Sequence, residues 1–178
     1  KKLIFTVGLG TIMIPSILLL LPVYKIFVDI GWYDTLLPLT IPAFFGGGIM
    51  NIFMIMQFIR GIPKAMDEAA KIDGANLFVR MFYITFPLIM PIVLYIAVSA
   101  FFMAWNDLMG PLLYIQSEEF WTVNMFIYRK YLSTTNIMRS QPNVQMGIGV
   151  VLMIPMLVVF MFYQNALIEG LTLGGVKG

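Results

Sequence analysis

Lys64, Asp67, Glu68, Lys71 and Asp73 place five charges within ten residues of a chain that is 60% hydrophobic and 11% charged. Their centre is Glu68-Ala69-Ala70-Lys71-Ile72-Asp73-Gly74-Ala75, a polar helix-and-break element held between two long apolar segments. A charged island in so apolar a chain marks where the molecule meets something in water. The chemistry on offer is contact chemistry, made of carboxylate and ammonium groups that pair or hydrogen-bond. Catalysis has little to draw on. The chain has no His and no Cys, which removes imidazole bases and ligands, thiolate chemistry and disulfides. An intramembrane hydrolase would need Ser with His, or paired Asp, inside an apolar segment. Asp107, at the end of one such segment, reads as a solvated cap. No G-x-x-x-x-G-K-[S/T] phosphate loop occurs. We therefore expect no catalytic residues, no metal site and no bound cofactor. A net charge of +2 without a basic cluster excludes nucleic acid as a partner.

The elements that must position the island are apolar. Charge-free stretches cover 3–24, 35–59, 81–106 and 140–168. Each exceeds the roughly 20 residues that a helix needs to cross a bilayer. The runs do not alternate as barrel strands would. The expected class is all-α integral membrane, with about four transmembrane helices: span A over 3–23, B over 36–59, C over 87–108 and D over 144–166. Pro15 falls inside span A and predicts a kink there; Pro42 and Pro155 fall inside spans B and D, and Gly46-Gly47-Gly48 permits close backbone approach or weakens the helix locally. Residues 24–35 read as a short interfacial segment and 109–143 as a long polar excursion. The 15 methionines suit irregular helix packing. Seven basic residues (Lys1, Lys2, Arg60, Lys64, Lys71, Arg80, Lys177) fall on one side of this arrangement. Four (Lys25, Arg129, Lys130, Arg139) fall on the other. The richer side should be cytoplasmic, which puts both ends and the island inside. Trp32, Trp105 and Trp121 then fall near the outer boundary.

Within the loop 60–86, Pro63 suits the first turn of a helix. Ala65, Ala69 and Ile72 recur at helical spacing, widened by Met66 and Ala70, and the charges lie toward the other side. Glu68 and Lys71 are one turn apart and can pair. Gly74 ends or bends the helix. A helix of about ten residues is marginal alone, so it must lean on lipid headgroups or on a protein groove. Its small alanine face buries little area in lipid but lets another surface approach closely.

These residues carry a resemblance. Glu68-Ala69-Ala70, Asp73-Gly74-Ala75 and Ile84-Thr85-Phe86-Pro87 resemble the signature loop of binding-protein-dependent ABC importer permeases, E-A-A-x-x-x-G followed by I-x-L-P, with Phe86 where Leu is usual. Asp73-Gly74-Ala75 is similar to the carbohydrate, MalG-like branch. Gln57-Phe58 with Ile62-Pro63 resembles that branch's lead-in, with Met56 where Arg is usual. Trp105-Asn106-Asp107 and the closing Gly170-Leu171-Thr172 and Gly174-Gly175-Val176-Lys177-Gly178 resemble its later motifs. The likeness covers roughly 20–178. It implies that 1–178 is the core of a six-helix permease domain lacking its N-terminal spans, in a prokaryotic inner membrane. The loop would be a coupling helix on a cytoplasmic ATPase dimer, which would bind the ATP. Glu68 would meet polar or basic groups, Ala69 and Ala70 would pack on the ATPase, and Asp73 and Gly74 would form the turn. Further implied partners are a second homologous permease subunit, an extracytoplasmic solute-binding protein and the lipid bilayer. The implied cargo is a sugar or oligosaccharide; another small solute, or less readily a sensor role, is the alternative.

Asn51, Gln57, Ser99 and Thr40 lie in or near the membrane and suit interhelical hydrogen bonds. If any lines a translocation path, Asn51 and Asn106 are the candidates. Trp121, Phe126 and Tyr128 suit either a docking surface for the binding protein or the seating of the excursion at the interface.

Overall fold

The computed structural model describes residues 2–45, 48–132 and 142–175. Gly46, Gly47, Arg139, Val176, Lys177 and Gly178 lie outside them. Every regular element among the described residues is helical. In order these are α1 (Lys2–Thr11), α2 (Ser16–Asp29), α3 (Leu37–Thr40), α4 (Ile49–Gly61), α5 (Lys64–Ile72), α6 (Leu77–Arg80), α7 (Phe86–Leu88), α8 (Met90–Asn106), α9 (Met109–Tyr114), α10 (Val123–Ile127) and α11 (Pro142–Gly175). Short 3₁₀ turns cover Ile41–Phe45 and Glu118–Phe120, and π-helical turns cover Met81–Thr85 and Tyr128–Leu132.

Two stretches, Leu37–Gly61 and Pro142–Gln164, are long and apolar enough to cross a membrane. Two bent pairs pass the same test jointly: Phe5–Thr11 with Ser16–Asp29, bent by 99°, and Leu77–Leu88 with Met90–Asn106, bent by 68°. Counting each pair as one span gives the four expected.

The boundaries differ from the sequence reading in ways proline explains. Span A is not a kinked helix but a sharp corner. Pro15 adopts φ −58°, ψ 126° as the N-cap of α2, and the residue before a proline is pushed out of the helical region. Residues 24–29, expected to lie at the interface, continue α2 instead. Span C does not start at 87, because helix already runs from Leu77. A regular α-helix would drive the Pro87 ring into the carbonyl four residues back. The wider π turn over Met81–Thr85 relieves that crowding, with Phe86 N–H bonding Met81 O. Span D extends to Gly175, with Pro155 inside it.

The chain divides into two compact units. One comprises Lys1–Ile49 and Phe102–Met156; the other comprises Met50–Phe101 and Leu157–Gly178. The core of the first surrounds Tyr114, Ile115 and Met125, with Tyr24, Phe27, Leu39, Phe120 and Trp121 packed against them. Met125 is 0% exposed. Tyr24 stacks on Tyr114 at 6.0 Å between ring centroids, and Phe27 stacks on Trp32 at 5.4 Å. The excursion read as polar therefore supplies the deepest burial in its unit. In the second unit Ala70, Ile89, Ile92 and Val98 are buried. The apolar side chains of α1, α2 and the first part of α11 are largely exposed, as suits helices whose solvent is hydrocarbon.

Candidate functional site

The chain leaves α4 at Gly61 and turns through Ile62 N–H to Ile59 O. Pro63 precedes the first helical turn of α5 as its N-cap, at φ −59°, ψ 128°. With no side-chain cap there, the helix depends on charge and on its far end. Asp67 lies in the first turn and Lys71 in the last, which matches the sign of the helix dipole at both ends.

Asp67 is the hub. Its Oδ2 pairs with Lys71 Nζ at 2.8 Å, one turn along. Its Oδ1 pairs with Arg80 Nη1 at 2.9 Å. The sequence reading expected Lys71 to pair with Glu68. The structure gives Lys71 to Asp67, which holds a second cation and so draws both toward one carboxylate. The Lys71 hydrogen bond, aided by the Arg80 and Lys71 charges, holds the Asp67 carboxyl below its ordinary value of 3.8.

The far end of α5 is a Schellman motif. Ala75 N–H bonds Ala70 O at 2.9 Å, and Gly74 N–H bonds Lys71 O at 3.1 Å. Gly74 takes φ +78°, the conformation that the motif requires and that side chains resist. The next helix starts at once. Asn76 caps α6, its Oδ1 accepting from Val79 N–H at 2.9 Å.

Of the expected contact residues, Glu68, Ala69, Asp73 and Gly74 are exposed. Ala70 is 8% exposed and turned toward its own unit. Ala65, Ala69 and Ile72 lie on the open side, with Ile72 87% exposed. The helix thus shows an uncovered strip of small and apolar side chains beside an exposed carboxylate.

Asn51 is half-buried on α4 and belongs to the second unit; Asn106 is exposed at the end of α8 and belongs to the first. Asn106 Nδ2 donates to Phe102 O at 2.8 Å and lies 3.7 Å from Met156 Sδ. Its neighbours build a corner: Trp105 Nε1 donates to Leu152 O at 3.1 Å, Asn124 Nδ2 donates to Trp105 O, and Gly110 N–H donates to Asp107 Oδ1 at 3.0 Å. Asp107, expected as a solvated cap, is instead half-buried and ties the end of α8 to the first turn of α9. Trp121 is half-buried, donating to Gln116 O at 3.0 Å with the Arg129 guanidinium 5.2 Å from its ring. Lys130 lies 4.7 Å from the Phe126 ring.

Three polar residues have partners that the sequence reading did not assign. Asp67 and Arg80 are two of them. The third is Asp34, at φ +57°, which accepts from Gln116 N–H and Ser117 N–H at 2.8 Å each and from Ser117 Oγ at 2.6 Å. Its only sequence signal is an Asp in a Gly-containing turn, a residue type that tolerates positive φ.

A family model for the inner membrane component of binding-protein-dependent transport systems matches residues 1–172. The chain belongs to that family. Among the similar proteins, the arabinooligosaccharides transport system permease protein AraQ of Halalkalibacterium halodurans is 27% identical over 178 residues, covering 100% of this chain and 62% of the relative. The melibiose/raffinose/stachyose import permease protein MelC of Bacillus subtilis is 29% identical over 182 residues, covering 100% and 63%. The trehalose transport system permease protein SugB of Mycobacterium tuberculosis is 31% identical over 178 residues, covering 100% and 64%. The chain thus spans less than two thirds of the length of these relatives of an inner membrane family. Its apolar helices fit that location.

Proposed function

We propose that this chain is the core of the permease subunit of an ATP-driven importer, and that it moves a sugar or oligosaccharide delivered by an extracytoplasmic binding protein. The observation that carries the coupling role is α5: a short helix with an uncovered strip at Ala65, Ala69 and Ile72, closed by a Schellman corner into the next helix. A nine-residue helix is too short to be stable alone, and its exposed strip suits a shallow groove on a protein. The partner is a cytoplasmic ATPase dimer, which binds and hydrolyses the ATP. Ala69 meets the groove, Glu68 pairs with basic or polar groups on its rim, and Ala70 seats the helix on its own chain. Asp73 and Gly74 turn the backbone away. When the ATPase dimer closes, α5 is carried with it and access to the path alternates, which requires different contacts in the two states. A second homologous permease subunit completes the path. Asn51 and Asn106 are candidates to line it, each offering an amide to sugar hydroxyls. The sugar cargo rests on the relatives named for arabinooligosaccharide, melibiose and trehalose transport.

The test is disulfide crosslinking in the assembled transporter. Ala69→Cys should bond to a cysteine placed in the groove of the cognate ATPase, with a yield that changes on adding ATP. Glu68→Lys should abolish uptake while leaving membrane insertion intact. No crosslink at several groove positions would refute the docking. Fluorescence titration of the cognate binding protein with sugars, amino acids and phosphate decides the cargo.

A further inference from the structure

The corner between α5 and α6 is built from parts that hinge easily. Gly74 sits at φ +78° with nothing within 4 Å of where a Cβ would stand, so packing adds nothing there to the two backbone hydrogen bonds that hold the corner. Asp73, Gly74 and Asn76 are exposed. The backbone bonds of the Schellman motif run from the corner back into α5, and the Asn76 cap runs forward into α6. Neither kind joins one helix to the other. The Asp67–Arg80 ion pair does. Asp67 belongs to the first turn of α5 and Arg80 is the last residue of α6, so the ion pair triangulates the corner by charge, with Arg80 Nε and Nη1 buried and completing no hydrogen bond.

Its geometry suits a brace. The Arg80 side chain is 15% exposed, against 49% for Asp67, so the pair is screened less than an open surface pair. Both Asp67 carboxylate oxygens are engaged, one by each cation. Arg80 also adjoins the π turn that leads to α7, so force arriving at Arg80 enters the helical stretch Leu77–Leu88, which meets α8 at a 68° bend.

We infer that Asp67 and Arg80 are positioning residues of the coupling loop, their ion pair bracing α5 against α6 so that a displacement of α5 is passed into the helix leading to α8. The inference rests on the docking of α5 proposed above. Without the brace, α5 still docks and follows the ATPase, but the Gly74 corner flexes and absorbs part of the stroke. ATP is then hydrolysed with less solute moved per turnover.

The experiment measures solute taken up per ATP hydrolysed by the assembled transporter in proteoliposomes with its binding protein. Asp67→Asn and Arg80→Gln should each lower that ratio about fivefold, the low end of measured couplings between sites. ATP turnover and the Ala69→Cys crosslink should be retained. The double variant should fall no further than either single one, since both remove the same bond. Lys71→Gln breaks the bond made within α5 but not the one that crosses the corner, and should lower the ratio less than Arg80→Gln. An unchanged ratio in both single variants, multiplying losses in the double variant, or equal losses from Lys71→Gln and Arg80→Gln would overturn the brace while leaving docking intact. A missing crosslink in otherwise wild-type protein would instead overturn the docking, and the brace with it. If either single variant fails to insert, Asp67→Ser and Arg80→Met, which also remove the charge, carry the test. A lowered ratio supports the brace, and a wild-type ratio overturns it.

Discussion

Gly74 and Asp34 both hold positive φ, one without a side chain and one with, and they predict different behaviour. At Gly74 an added methyl meets open space, so Gly74→Ala pays only the conformational cost, about 1–2 kcal/mol for a left-handed residue. Uptake should fall partially, with the crosslink at Ala69 preserved. Gly74→Pro is a different lesion. Proline cannot adopt φ +78° and removes the N–H that bonds Lys71 O, so the corner should be lost and uptake abolished, with insertion unaffected. Equal uptake by the Ala and Pro variants would refute this reading of the corner. At Asp34 the prediction concerns pH. Ser117 Oγ first, then the Ser117 and Gln116 N–H groups, hold its carboxyl below the ordinary 3.8. A carboxyl lowered in the fold contributes stability that is fully present above its unfolded value and is lost as pH falls through its folded value. The clamp between 34 and 116–117 should therefore be indifferent to pH between neutrality and about 5 and weaken below 3.8. Asp34→Asn, whose amide nitrogen cannot accept from Ser117 Oγ, should lower the melting temperature in detergent at pH 7 and flatten the loss on acidification. A variant with the wild-type acid profile would show that Asp34 is not the titrating group.

Among the elements, α5 was the most legible. Alanine periodicity, Pro63 before it and Gly74 after it give a helix of about ten residues, and the structure has nine. The charge pairing within it was not legible, because Arg80 reaches Asp67 only through a turn that spacing along one helix cannot reveal. Span positions followed from charge-free runs, but helix ends did not. Pro15 and Pro87 bend and widen the backbone over several residues, so α2 and the helix from Leu77 begin and end away from the charge boundaries. The excursion 109–143 was read as polar because it contains Glu118, Glu119, Arg129, Lys130 and Arg139. Its burial depends on Tyr114, Ile115 and Met125 meeting Tyr24 and Phe27 from α2, a long-range pairing that local pattern does not encode. The site was legible where it depends on one helix and its cap, and illegible where a partner arrives from elsewhere in the chain.

For the whole molecule the deciding quantity is how often the chain crosses the bilayer between α5 and Glu119. One apolar passage lies between them, the pair Leu77–Leu88 and Met90–Asn106, bent by 68°. The 17 residues of α8 rise about 25 Å, short of the roughly 30 Å hydrocarbon layer. The preceding helical stretch must supply the remainder if the pair crosses; a re-entrant pair would return both flanks to one side. The basic residues favour crossing: Arg60, Lys64, Lys71 and Arg80 lie in and around α5 on one side of the passage, and Arg129 and Lys130 follow on the other, so the richer side belongs in the cytoplasm. Lys71→Cys in the assembled transporter should therefore resist a membrane-impermeant maleimide in intact cells and react after permeabilisation, whereas Glu119→Cys should react in intact cells. Labelling of both from outside would make the passage re-entrant, and labelling of Lys71→Cys from outside would put α5 beyond reach of any cytoplasmic ATPase. The coupling role depends on this sidedness more than on any single contact in the loop.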